Sequence, residues 1–176
     1  MTKKTRLNVL SLGAGVQSST LALMIEEGLL PMVDCAIFSD TKAEPKEVYT
    51  WLEWLQKQVS YPIYKVSFSN LKQDCLTNSF NPIPAYTLNS KTKKIGILRR
   101  QCTLHYKIKP IHKKIRELLG LKKGKNRKKG TRVNLLMGIS YDEMGRMKEN
   151  IIDWVTNTFP LVKMKFKRSD CLQWFL

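Results

Sequence analysis

The sequence predicts an α/β fold, a mostly parallel sheet covered by helices and formed as a single domain over residues 1–176. Three observations carry this. Short runs of strand length at 7–10, 33–38, 63–66 and 133–137 alternate with helical patterns, which is how parallel sheets are threaded. Most of these runs are apolar with little alternation, as in strands covered on both faces. Three of them lead into stretches rich in glycine and polar groups, at 11–20, 39–41 and 138–146. Open α/β sheets place their ligands at that carboxyl edge.

The first strand, 7–10, leads into Ser11-Leu12-Gly13-Ala14-Gly15-Val16-Gln17-Ser18-Ser19-Thr20 and then into an apolar helix that Gly28 stops. A strand, glycine-rich turn and helix in that order gathers backbone N–H groups and the positive end of a helix dipole, and glycine lets an anion come close. Two glycines alone are a weak signal, and a tight connection without a ligand is the competing reading. The hydroxyls of Ser11, Ser18, Ser19 and Thr20 favour the ligand. Ser18 stands where a dinucleotide fingerprint prefers a third glycine, so a terminal phosphate, pyrophosphate or sulfate suits the turn better than a dinucleotide.

The second strand, 33–38, buries Cys35 and ends at Ser39-Asp40-Thr41, where Asp40 or Thr41 can face a ribose or base, or Asp40 can cap a turn. Pro45 opens the next helix. Its stripe of Val48, Trp51, Leu52, Leu55 and Val59 faces the core, with Trp51 and Trp54 as core and shoulder, and 63–66 is the third strand. Residues 67–98 read as an irregular insertion, broken by Asn81-Pro82-Ile83-Pro84. Within it Tyr86-Thr87-Leu88 and Ile95-Gly96-Ile97 flank a polar tip as an irregular hairpin. A segment of that length points to a lid or substrate loop.

Arg99-Arg100-Gln101-Cys102-Thr103-Leu104-His105-Tyr106-Lys107 is dense in anion-binding groups and runs into a helix over 108–119, with Pro110 near its start and Gly120 as its stop. Arg99, Arg100 and Lys107 can converge on phosphate, or form a solvated basic run. His105 and His112 are too few for a metal cluster. Residues 120–132 carry seven basic side chains and three glycines and predict an exposed loop. After the fourth strand, Gly138 to Arg146 returns to the ligand edge. There Arg146 and Lys148 are candidates for phosphate, and Asp142 or Glu143 for magnesium or for orienting Arg146. Residues 154–166 read as apolar and extended, and Ser169-Asp170 as the N-cap of a helix of barely one turn. Such a helix either packs tightly or belongs to a chain that lacks a tail.

Composition bounds the partners. Lys and Arg number 31 against 14 acidic residues, a net charge of +17, which favours an anionic partner. No apolar run nears the roughly 18 residues of a membrane span and the N-terminus lacks a signal-peptide pattern, so the cytoplasm is the expected location, without a membrane partner. Four widely spaced cysteines with no C-x-x-C pair point to reduced thiols and nominate no metal ligands.

Four stretches, taken together, resemble one family. They are Ser11 to Ser18; Asp40-Thr41; Arg100-x-Cys102-Thr103-x-x-Tyr106-Lys107-Ile108-x-Pro110; and Gly138-Ile139-Ser140-x-Asp142-Glu143-x-x-Arg146. They are similar to the phosphoadenosine phosphosulfate (PAPS) reductase branch of the adenine nucleotide alpha-hydrolase, or PP-loop ATP pyrophosphatase, superfamily. The resemblance implies a HUP-like three-layer α/β/α sandwich that binds ATP or an adenylyl sulfate, with Mg²⁺ as an optional companion. It implies nucleotide binding by Ser11, Gly13, Gly15, Gln17, Ser18, Asp40, Thr41, Arg100, Gly138 and Asp142, and catalysis by Cys102, Lys107 and Arg146. The implied chemistry is ATP cleavage between the α and β phosphates to activate an acceptor, in the context of sulfur transfer. Reductase members instead release sulfite.

The chain departs from the common S-G-G-x-D-S form, carrying Gln17 at the Asp position, and it offers single Cys102 and Cys171 with no cysteine pair, so neither the iron–sulfur cluster nor the reductase reaction carries over from the resemblance. A basic loop at 122–132 suits tRNA or DNA as acceptor, and a homo-oligomer is compatible with the sequence. The competing readings are a nucleotide- or nucleic-acid-binding protein without turnover, and a dinucleotide-dependent dehydrogenase.

Overall fold

Apolar strand residues that alternate between two helical layers build the frame. The structure is a computed structural model and describes residues 6–77, 86–97, 102–121 and 130–175. The chain runs β1 (Arg6–Leu12), α1 (Val16–Glu26), β2 (Cys35–Ser39), α2 (Lys46–Gln58), β3 (Ile63–Val66) and α3 (Leu71–Thr77). An antiparallel hairpin of β4 (Tyr86–Leu88) and β5 (Ile95–Ile97) comes next. A π-helical segment, Thr103–Ile108, continues into α4 (Lys109–Leu118). β6 (Arg132–Met137), a 3₁₀ segment Tyr141–Arg146, β7 (Val155–Thr158), α5 (Pro160–Lys163) and α6 (Arg168–Gln173) complete the described chain.

The main sheet has the order β3-β2-β1-β6-β7, with every neighbouring pair parallel. Successive side chains point to opposite faces. Leu10, Leu12, Ala36, Phe38 and Leu136 pack with α1, α2, α5 and α6 through Leu21, Ile25, Leu55, Leu161 and Cys171. Val9, Cys35, Ile37, Val133 and Leu135 pack on the other face with Ile111 and Ile115 of α4 and with Trp154. This is the predicted three-layer α/β/α sandwich. Burial pushes the Cys35 thiol up to about 11, with Asp34 adding to the effect, so it is a core residue.

The chain leaves β1 toward β2 and β3, then crosses back to place β6 on the other side of β1. The order reverses between β1 and β6, the switch point at whose carboxyl edge open α/β sheets place their ligands.

The structure corrects several expectations. The insertion is more regular than predicted, since it contains α3, whose Gln73 N–H donates to Asn70 Oδ1 at 3.2 Å. Residues 154–166 are not extended throughout: the strand stops at Thr158, and Pro160 opens a helical turn that drives Leu161 fully into the core. The N-cap of α6 is Lys167, not Ser169 or Asp170, and the Asp170 carboxylate accepts the Lys167 N–H at 2.8 Å. The short helix packs tightly: Cys171 is fully buried, and Phe175 meets Trp51 edge-on at 5.7 Å. Asn81 to Pro84, Arg99, Arg100 and most of the basic loop, residues 122–129, lie outside the described residues.

Candidate functional site

The turn after β1 is shaped by where its hydroxyls go. Ser11 belongs to β1, on the same face as Val9 and so toward the α4 side. Ser19 accepts the Trp51 indole N–H at 2.8 Å, and the Thr20 hydroxyl donates to the Val16 and Cys171 carbonyls. The Ser19 and Thr20 hydroxyls therefore serve helix packing. Ser18 remains at the turn, where it accepts the Gly13 N–H at 3.2 Å and donates to the Gly15 carbonyl at 3.1 Å.

Ala14 adopts φ 52°, a left-handed conformation that costs a residue with a Cβ roughly 1–2 kcal/mol. The first helical bond of α1 runs from Ser19 N–H to Gly15 C=O at 3.0 Å, so the N–H groups of Val16, Gln17 and Ser18 precede it and point out of the helix end. A Cβ built on Gly15 meets nothing within 4 Å, which leaves open space over those donors.

Gly138, at the exit of β6, has a different role. A Cβ there would stand 2.8 Å from Ser18 Cα and N, so this glycine lets the β6 exit lie against the first turn of α1. The two loops of the switch point touch through it.

Gln17 is 8% exposed and links three segments. Its Nε2 donates to Glu143 Oε2 at 3.1 Å, and its Oε1 accepts from Arg168 Nη1 at 2.9 Å. The other Glu143 oxygen pairs with Arg146 Nη1 at 2.8 Å. Asp142 accepts the backbone N–H of Arg168 at 3.0 Å. The result is a continuous line Arg146–Glu143–Gln17–Arg168 beside the turn, with Arg146 mostly exposed. A neutral amide suits its place, because it donates to a carboxylate on one side and accepts from a guanidinium on the other.

At the end of β2, Asp40 and Thr41 are both 4% exposed. Burial raises the Asp40 pKa, but the Lys42 N–H, the Tyr49 hydroxyl at 2.8 Å and the Lys65 ammonium at 3.2 Å outweigh it and hold the carboxyl below its usual range. Thr41 donates to Glu44, which also pairs with Lys107 at 3.6 Å. Lys107 lies on the π-helical segment, an uncommon element that often marks functional sites. This segment is fixed by the Ser39 hydroxyl, which donates to the Tyr106 carbonyl at 2.6 Å, and by a hydrogen bond from the Tyr106 hydroxyl to Asp74. Cys102 stands half-buried at its head, and Arg100 lies outside the described residues.

The structure thus gathers Gly13, Gly15, Gln17, Ser18, Gly138, Asp142 and Arg146 around the β1–β6 switch point, and Asp40, Thr41 and Lys107 around the end of β2. Arg168 escaped the sequence reading: it is 151 residues from Gln17, and no local pattern announces the pairing. Gln17 stands where the motif carries a carboxylate and both Glu143 oxygens are engaged, so the exposed Asp142, which accepts the Arg168 N–H through Oδ1, is the carboxylate that can share a cation with phosphate oxygens; no cluster of three metal-ligating side chains occurs among the described residues. Two hollows lie elsewhere, one of about 500 Å³ along β7 and the 147–153 segment, the other of about 340 Å³ between α5 and residues 30–32.

No family model and no curated protein sequence matches the chain. Among solved structures it is similar to the crystal structure of phosphoadenylyl-sulfate (PAPS) reductase from Candida auris in a phosphate complex. The TM-score is 0.60 at 11% identity, over 99% of this chain and 72% of that one. The chain therefore has a PAPS reductase-like fold.

Proposed function

We propose that the chain binds an adenine nucleotide at the β1–β6 switch point and cleaves ATP between the α and β phosphates to activate an acceptor. The observation that carries this is the open space over Gly15, bounded by the first-turn N–H donors of α1, which have no partner within the helix, and flanked by the Arg146–Glu143–Gln17–Arg168 line, in a fold like that of a PAPS reductase crystallised with phosphate. Helix N-termini and guanidinium groups are the usual partners of phosphate and sulfate. In this reading an acceptor oxygen attacks the α-phosphorus, the α–β P–O bond breaks and pyrophosphate leaves against Arg146 and Arg168. Asp40 and Thr41 lie toward the nucleoside. The net charge of +17 favours a nucleic-acid acceptor.

One observation favours a second ligand for the same site. Gln17 takes the place of a carboxylate and both Glu143 oxygens are engaged, which leaves guanidinium groups as the main charge beside the turn and suits an adenylyl sulfate. Incubation with ATP, or with adenylyl sulfates and a dithiol that supplies the two electrons sulfite formation requires, followed by mass spectrometry of the products, separates the two. AMP with pyrophosphate supports ATP activation, sulfite supports the second reading, and recovery of every nucleotide intact rejects turnover.

A further inference from the structure

We propose that the β4–β5 hairpin is a docking surface for single-stranded nucleic acid, a proposal independent of the nucleotide site. Tyr86 and Leu88 are two residues apart and share a face, and Ile95 is paired opposite Leu88 on that face. Their exposures are 80%, 64% and 74%. The opposite face is narrow, because Thr87 sits across from Gly96, where a Cβ would stand 3.0 Å from Thr87 Oγ1. Among the described residues the two strands pair only with each other, so the apolar strip faces outward, and an uncovered apolar strip of this kind marks an interaction surface.

The tip is built, and it is cationic. The Asn89 side-chain oxygen accepts the N–H groups of Lys91 and Thr92 at 3.0 and 2.9 Å, and its backbone pairs with Lys93 and Lys94. Lys91, Lys93 and Lys94 are exposed and form no ion pair among the described residues. Residues 86–97 contain these three lysines and no acidic side chain. An aromatic and aliphatic strip that ends in lysines matches a ligand that presents flat apolar faces on an anionic backbone. Residues two apart on one strand face lie roughly 7 Å from each other, about twice the 3.4 Å rise between stacked bases, so the strip takes unstacked bases rather than a duplex. A second copy, carrying the same +17 charge, would bring its own lysine tip against this one.

The test is fluorescence anisotropy of a labelled 12-nucleotide oligouridine and of a 12-base-pair duplex with the full chain over a range of salt concentrations. The single strand should bind at least tenfold more tightly than the duplex. Tyr86→Ser with Ile95→Ser should weaken it tenfold or more without moving the urea midpoint, since both side chains lie outside the core. Replacing Lys91, Lys93 and Lys94 by Ser should lower the slope of log affinity against log salt by about 2, at roughly 0.7 per phosphate contact on a single strand. Equal affinity for both nucleic acids, absence of binding, or wild-type behaviour in both variants overturns the proposal. So does a dimer, or adhesion to anionic vesicles without oligonucleotide binding, that the Ser substitutions abolish.

Discussion

Gln17 shows how one side chain can alter a motif without leaving a gap. A carboxylate at this position would face Glu143, whereas the amide satisfies Glu143 and Arg168 together. His112 shows a different residue-scale effect. It is buried on α4, and burial holds its pKa below the ordinary imidazole value. The unfolded chain therefore binds this proton more tightly than the folded one. The stability contribution is complete above about pH 6.5, the unfolded histidine value, and is lost as pH falls from there through the lower folded value. Urea midpoints should decline as pH falls below about 6.5, and His112→Met should flatten that decline. An equal decline in the variant would assign the effect to other groups.

At the scale of elements, the exit of β6 and the first turn of α1 behave as one unit, because Gly138 lets them touch. Gly138→Ala forces a Cβ to within 2.8 Å of the Ser18 backbone. Overpacking of this kind costs about 1–3 kcal/mol, and it should displace Ser18 and weaken nucleotide binding as well. Gly145→Ala, where a Cβ meets nothing within 4 Å, should stay within about 0.5 kcal/mol of wild type. Denaturant titration of the two variants checks this, and equal stabilities would contradict the contact. The strands and the first helix were legible because burial on both faces leaves an apolar signature that survives without tertiary information. α3 was not, because it buries no residue and so carries no stripe. The α6 start was misplaced because Asp170 caps from inside the helix, reaching back to Lys167.

At the scale of the whole molecule, the order β3-β2-β1-β6-β7 brings stretches more than a hundred residues apart to one edge. The sequence displayed the members of this site as motifs, Gly13 to Ser18 and Gly138 to Arg146, since glycine and polar clusters after strands are local features. It did not display the Arg168 contact, which exists only once α6 packs on α1. Nor did it reveal that Ser19 and Thr20 turn toward Trp51 and Cys171 rather than toward a ligand. Nucleotide binding over Gly15 is tested most directly by isothermal titration calorimetry of ATP and AMP against the wild type, Gly15→Val and Arg146→Ala. Gly15→Val fills the open space and should weaken both nucleotides tenfold or more, about 1.4 kcal/mol upward. Arg146→Ala should weaken ATP by roughly 1.5–3 kcal/mol, as expected for a lost hydrogen bond to a charged group, and AMP by much less. No ATP binding by the folded wild type, or undiminished binding by Gly15→Val, would contradict the account.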